Sequence, residues 1–415
     1  ANGAPAAERV TNAIFDESRR LSSYRLLADA TPVDLSRPQE IRLGEAVIEV
    51  VDSTRDYADL MEQLFDFDLI AHRLKSGLGL WFDGMNAVTG PYAAEILGRR
   101  LGVSEERLLR ARPLPDFGHA HPDPTPKNAP DLVKVLAQAS GDRLGAASDG
   151  DGDRHLILGP GFPVNPSDSL AILTRNAELA PGYRGRLTGV ARSMPTSRAA
   201  DAVARKLGVP SYETPTGWKF FGSLLDAGAI TLCGEESAGA GSDHVREKDG
   251  VWALLFWLNI LAARGGSVQD LVEDHWREFG RHACLRLDYE GLPVEGADAV
   301  MAHLKASLPR FKDSTVGGDR ISTADVFDYV DPINGDTAAD QGVRLHLESG
   351  GRIVYRLSGT GTSGATLRVY LERYVTDPGQ FGQSAASLTA PIEDIALSAA
   401  RIAELAGRTA PSVRV

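Results

Sequence analysis

The chain has 415 residues, 43% of them hydrophobic and 24% charged, and carries a net charge of −12 at pH 7. At about 150 residues per domain, that length implies two to four domains of ordinary globular composition. The acidic balance disfavours a nucleic-acid footprint, which needs a basic face. It leaves phosphorylated small molecules open, because local arginines, lysines and metal grip those. Two cysteines, Cys233 and Cys284, cannot build a disulfide framework, so a reducing, cytoplasmic setting is expected. The opening ANGAPAAERV carries no signal peptide, and the longest apolar run, VWALLFWL at 251–258, predicts a buried helix rather than a membrane span.

In chain order, LGLWF at 78–82 reads as a buried strand, followed by a polar turn and a helix over 91–101 opened by Pro91. A second strand is expected at 107–114 and a Pro-initiated helix at 130–139. Strand 144–148 leads into an acidic loop and strand 155–158 leads out. The next unit repeats the rhythm: helix 168–179, strand 187–192, helix 197–207, strand 230–233, then helices 248–264 and 268–279. That repetition predicts two similar α/β folds. Beyond residue 280 the rhythm changes to a helix at 297–308, strands at 343–347, 352–357 and 366–372, and a closing helix at 392–406. Glu348-Ser349-Gly350-Gly351 suits a hairpin turn between the first two of those strands.

The sharpest chemical signal is Asp149-Gly150-Asp151-Gly152-Asp153-Arg154. Three carboxylates at alternating positions repel one another unless a cation joins them, and an oxygen-only donor set suits Mg²⁺ or another hard metal. A solvated acidic turn is the bland alternative, but the flanking apolar strands fix the loop. An EF-hand is excluded, because Arg154 and Pro160 stand where its Gly and Glu belong. A phosphatase with Asp149 as nucleophile remains open, although Ala146-Ala147-Ser148 makes a poor preceding strand.

The second signal is Arg356-Leu-Ser358-Gly359-Thr360-Gly361-Thr-Ser363-Gly364 with Arg368 beyond it. Its glycines match G-x-G-x-x-G, but β-rich TLRVYLE follows instead of a helix, which argues against a dinucleotide site. Hydroxyls, bare amides and two arginines suit a phosphate cradle, against the alternative of an ordinary hairpin loop. Thr214-Pro-Thr216-Gly217-Trp218-Lys219 and Cys233-Gly-Glu235-Glu236-Ser237 read as a polyol site at strand ends, or as solvated carboxylates beside a core tryptophan. Lys248, in the ionisable run Asp243–Asp249, is a candidate acid–base group or simple helix-end decoration. His119 and His121 lie in a bend without metal-ligand spacing.

The motifs SDGDGDR, NPSDS, ARSMPTS, ETPTGWKFFG, LCGEES, GSDHVREKDG and RLSGTGTSGATLR occur in that order across 148–368. With flanking VDSTRDYADLMEQLFDF, HPDP, DHWREFGR and GRTAP, they closely resemble the phosphoglucomutases of the α-D-phosphohexomutase superfamily. The resemblance implies a multidomain α/β architecture. Residues 1–52 would be a remnant of domain 1, 53–163 the α/β domain 2 with the metal loop, 164–280 the α/β domain 3 with sugar-binding loops, and 281–415 an α+β domain 4 with a phosphate loop. It implies interconversion of glucose 1-phosphate and glucose 6-phosphate through an enzyme phosphoserine, with glucose 1,6-bisphosphate as intermediate and activator. Mg²⁺ is expected on Asp149, Asp151 and Asp153. Arg154 is expected on the sugar phosphate, with Asp153 nearby. Thr216, Gly217, Glu235 and Ser237 should hold the sugar, and Lys248 should act in proton transfer or electrostatics. Arg356, Ser358, Gly359, Thr360, Gly361 and Arg368 should grip the distal phosphate.

One feature departs from the family. Its serine segment, T-A-S-H-N-P, is absent from these residues, and Ser193 stands in the expected third domain. The chain alone is therefore expected to bind a small sugar phosphate without turnover, and apolar Ile14, Phe15 and Leu26 are expected to lack partners. A non-catalytic sugar-phosphate-binding or scaffold protein is the alternative. Nucleic-acid and membrane partners are not expected.

Overall fold

The computed structural model describes residues 3–6, 8–26, 32–139, 141–316, 319–361 and 364–415. The chain forms two compact units. One comprises residues 1–161, 178–186 and 244–265, and the other 162–177, 187–243 and 266–415. The segment expected as the third domain thus contributes to both.

In the first unit, helices Ser53–Leu64 and Phe67–Lys75 are capped by Asp52 and Asp66, whose carboxylates accept early backbone amides. Strand Gly79–Asp83 lies parallel to Leu108–Leu109 on one side and to Arg143–Ser148 on the other; Arg143–Ser148 then pairs antiparallel with His155–Gly159. Helix Pro130–Gln138 starts at its proline as expected. Helix Gly250–Arg264 is buried from Gly250 through Leu261, which explains its uniformly apolar sequence. Its Trp252 and Phe256 form an aromatic nest with Phe65 and Tyr183, and Trp252 Nε1 donates to the Tyr183 hydroxyl at 2.6 Å.

Two expectations need correction here. The strand expected over 107–114 is only Leu108–Leu109, because Arg110 turns to φ +44°. That turn sends its guanidinium inward to the fully buried Asp83, with contacts of 2.8 and 2.6 Å. A buried carboxylate needs a partner more than the edge needs another ladder bond. The helix expected from Pro91 begins at Thr89 and winds as a π-helix from Ala94 to Arg100. Ile14, Phe15 and Leu26 are exposed, as expected.

In the second unit, strand Val190–Ser193 lies between parallel Ser211–Thr214 and Leu232–Gly234, and the latter pairs antiparallel with Ala240–Ser242. The order and directions of these four strands match those of Leu108–Leu109, Gly79–Asp83, Arg143–Ser148 and His155–Gly159, which bears out the repeated rhythm. A larger antiparallel sheet follows in the order Thr315–Val316, Asp319–Val326, Val343–Leu347, Arg352–Gly361, Gly364–Val375, Arg281–Leu292 and Val413–Arg414. Helices Val294–Phe311 and Ala385–Ala400 pack on it through Val300, Leu304, Ile392 and Ile395. Arg281–Leu292 was not anticipated as a strand. The closing helix begins earlier than expected and breaks at Arg401, which adopts φ +49° before Ile402–Ala406. Among the described residues no single helix is long and apolar enough to cross a membrane.

Asp168, in the first turn of helix Pro166–Arg175, is buried with Oδ2 accepting from Trp276 Nε1 at 3.0 Å and Oδ1 without a partner. Burial pushes its carboxyl up to about 6 from 3.8. The folded chain therefore holds this proton more tightly than the unfolded chain. The charge costs stability as pH rises from about 4 to about 6, reaching about 3 kcal/mol above that range. Asp168→Asn keeps an acceptor for Trp276 and should raise stability at pH 7 by up to about 3 kcal/mol, shrinking towards nothing near pH 4. Urea unfolding at both pH values measures this, and an equal gain at both contradicts it.

Candidate active site

The acidic loop occupies the turn where Arg143–Ser148 doubles back into His155–Gly159. Asp149, Asp151 and Asp153 each bring one carboxylate oxygen within 4.8 Å of the other two. Gly152 adopts φ +85°, a conformation that side chains resist. The donors are hard oxygens, they converge, and Asp149 is buried, so the set fits one hard divalent cation.

Cationic partners limit the repulsion. Arg154 donates from its backbone to Asp149 Oδ1 at 3.0 Å and from Nε to Oδ2 at 2.7 Å, and its Nη1 reaches Asp123 Oδ1 at 2.5 Å. Burial opposes the Arg154 cation, but Asp149, Asp123 and Asp153 outweigh it and raise its pKa. Lys248 Nζ lies 2.8 Å from Asp153 Oδ2. Lys248 precedes the helix rather than opening it, since Asp249 is the N-cap and accepts from Trp252 N at 2.9 Å. Asp249 also takes the Tyr57 hydroxyl at 2.7 Å and His244 Nε2 at 3.0 Å. Burial raises the Glu247 carboxyl, with Asp153 and Asp151 adding to it.

The loop rests directly on the start of the buried helix. Gly250 N donates to Gly152 O at 2.9 Å. A Cβ on Gly250 would meet Arg154 O at 2.5 Å, Ser148 Oγ at 2.6 Å and Gly152 O at 3.1 Å.

In the second unit, the equivalent doubling-back, from Leu232–Gly234 into Ala240–Ser242, carries Glu235, Glu236 and Ser237. Gly217 N donates to Glu235 Oε1 at 3.0 Å, joining the two segments expected to hold a sugar. Gly217 needs φ +126°, and Thr216 beside it has a buried Oγ1 without a hydrogen-bond partner. Such an atom suits a ligand hydroxyl. Trp218 is a core residue against Phe221, as the bland reading held.

The arginine-flanked segment ends one strand of a ribbon, and strand Gly364–Val375 follows it rather than a helix, as its β-rich sequence implied. Arg356 and Arg368 are direct cross-strand partners, as are Ser358 and Thr366. Two like charges placed opposite each other destabilise a sheet unless an anion sits between them. Arg368 Nε is 3.7 Å from Asp288 Oδ1, and Asp288 is shared with Arg286. Gly359, Thr360 and Gly361 end the strand, with Thr360 described by its backbone, while Thr362 and Ser363 lie outside the described residues.

Sequence reasoning gave no role to Asp123, Tyr57 or Asp249, which join the acidic-loop site through tertiary contacts that leave no local spacing. It cited Thr196 only inside a motif and gave Glu236 no role separate from Glu235.

Residues 55–160 match the phosphoglucomutase/phosphomannomutase α/β/α domain II family, 165–279 the corresponding domain III family, and 281–412 the phosphoglucomutase-1 C-terminal domain family. A phosphoglucomutase from Rhizobium radiobacter is 48% identical, with the match spanning 99% of this chain and 76% of that protein. Phosphoglucomutase-1 from Homo sapiens is 44% identical, over 99% and 76%. The crystal structure of the exocytosis-sensitive phosphoprotein parafusin, a phosphoglucomutase from Paramecium, superposes in its open form with a TM-score of 0.88 at 42% identity, covering 99% of this chain and 75% of that one.

Gly250→Ala would ordinarily favour a helix by about 1 kcal/mol. Here the added methyl must displace the acidic loop, so Mg²⁺ affinity should fall at least about tenfold, since the ligands must stay within a few tenths of an ångström of their places. Calorimetric titration with MgCl₂ measures this; unchanged affinity refutes the coupling of loop and helix.

Proposed function

The chain belongs to the phosphoglucomutase family of isomerases, and from that premise we propose that its reaction interconverts glucose 1-phosphate and glucose 6-phosphate through glucose 1,6-bisphosphate and an enzyme phosphoserine. The observation that carries the sugar-phosphate reading is the directly opposed pair Arg356 and Arg368, a built anion site at the end of a ribbon. We assign the distal, non-transferred phosphate to this pair with Ser358, Gly359, Thr360 and Gly361.

A hard dication such as Mg²⁺, held by Asp149, Asp151 and Asp153, would neutralise charge on a transferring phosphoryl group. The chain's own groups do the rest. Arg154 is braced by Asp149 and Asp123, which fixes its guanidinium for the sugar phosphate. Lys248, paired with Asp153, serves as an electrostatic group. Glu235 and Ser237, with Thr216 and Gly217, offer acceptors and donors that equivalent sugar hydroxyls can use in either orientation. The domain boundaries near 52, 163 and 280 follow from this reading, and two free cysteines support a cytoplasmic setting.

The phosphatase alternative is disfavoured, because both Asp149 oxygens are engaged by Arg154 and the side chain is buried. Ser193 is a poor nucleophile, being buried and hydrogen-bonded to Thr196 and Glu236. The family's serine segment does not occur in the sequence. Ser193 is therefore not assigned as the phosphoserine, and the described residues should bind the sugar phosphate. Calorimetry with glucose 1,6-bisphosphate and Mg²⁺ should give saturable heat; none at millimolar ligand sinks the binding claim. In a coupled mutase assay, turnover abolished by Ser193→Ala would overturn the view of the nucleophile.

A further inference from the structure

Along the ribbon of Arg352–Gly361 and Gly364–Val375, the cross-strand pairs Arg352/Glu372, Val354/Tyr370, Arg356/Arg368 and Ser358/Thr366 follow one another at two-residue steps. They therefore project from one face. The 193–196 turn sits on the first two pairs. Arg352 donates to Met194 O at 2.7 Å and to Thr196 O at 2.8 Å, and the Met194 side chain packs with Val354 and Tyr370. The next pair along is the two arginines assigned to phosphate.

From that turn, Ser193 Oγ reaches Glu236 Oε2 at 2.9 Å and Thr196 Oγ1 reaches it at 3.3 Å, while Glu236 N donates to Thr196 Oγ1 at 2.9 Å. Glu236 Oε1 accepts no hydrogen bond from the described residues. The turn that holds Glu236 is itself anchored one step from the arginine pair. We infer that Glu236 is a positioning residue with two tasks: it fixes the sugar loop on the 193–196 turn, and its carboxylate opposes phosphate at Arg356 and Arg368, so that the bound phosphate can leave.

This inference rests on the phosphate assignment above. The reaction gives the second task its purpose. A bisphosphate intermediate must leave the arginine pair, turn round and rebind, so an over-tight grip stalls each cycle. The local charges agree. Burial opposes the Arg368 cation, while Tyr370, Asp288 and Glu236 favour it, so Glu236 lies within electrostatic reach. Burial and then Glu236 likewise raise the Tyr370 hydroxyl. Arg368 therefore faces one carboxylate, Asp288, from the neighbouring strand and a second, Glu236, from the sugar loop.

The test is a calorimetric titration of the full chain with glucose 6-phosphate at low ionic strength. Glu236→Gln keeps an acceptor for Ser193 and Thr196 but removes the charge, and should bind about five- to tenfold more tightly, the scale of one partly screened charge. Ser193→Ala keeps the charge and should show no tightening. Arg368→Gln should lose binding. Damage to the loop alone weakens binding, so an unchanged or weaker Glu236→Gln, beside normal binding by the unaltered chain that Arg368→Gln abolishes, overturns the inference and spares the phosphate assignment. No binding by the unaltered chain, or full binding by Arg368→Gln, overturns both.

Discussion

Each smaller sheet makes one awkward manoeuvre, and the chemistry depends on it. A strand that has run parallel to its neighbour stops, reverses and pairs antiparallel with the strand that follows. In one unit the reversal separates Ser148 from His155, and in the other Gly234 from Ala240. So short a reversal at the carboxyl end of a sheet cannot pair all its own polar groups within the ladder, so they take partners from neighbouring segments. Glycines and an Ala238 at φ +73° let the backbone turn, and the side chains left there are carboxylates and a hydroxyl. Ligands of open α/β sheets bind at such strand ends. The loop of Asp149–Asp153 and the loop of Glu235–Ser237 are thus the same topological position used twice with different residues.

Charge placement separates scaffold from site within the second unit. Arg352 is buried, and its guanidinium reaches Glu372, Glu213 and backbone carbonyls. Glu372 also accepts from His282 at 2.7 Å, while Arg192 bridges Asp201 and Glu213. Every buried charge named there has an opposite charge at hydrogen-bonding distance, as a low-dielectric interior requires. Four residues further along the same strand, Arg356 faces Arg368 instead. Arg368 has Asp288 on its other side, at 3.7 Å, so this row is compensated only in part and more loosely than the row before it.

The sequence made much of this legible, for physical reasons. Helix Val268–Phe279 matched its expected limits because Ser267 and Asp270 form a capping box and Gly280 ends it. The convergence of the DGDGD carboxylates was readable because acids at alternate positions of a glycine-spaced turn can share one side of it. Three kinds of feature were hidden. Arg110 leaves its strand for a partner 27 residues back, a contact that no window of sequence contains. Strand Arg281–Leu292 lies inside the larger sheet and is buried on parts of both faces, which blurs its alternation. Glu236 looks identical to Glu235 in the chain, yet one faces Gly217 and the other Ser193, because consecutive residues in a turn point to different neighbours.

The contact between Gly250 and the carboxylate loop has a mechanical consequence. The loop touches that helix through the backbone carbonyls of Gly152 and Arg154, with only the Ser148 hydroxyl beside them. The helix is held along its length by Trp252 and Phe256 against Phe65 and Tyr183. A slide or rotation of this apolar rod would therefore press directly on the backbone between Asp151 and Asp153. The stiffness of the carboxylate loop is borrowed from an aromatic core, and the packing of residues remote from the loop helps set how closely its carboxylates converge.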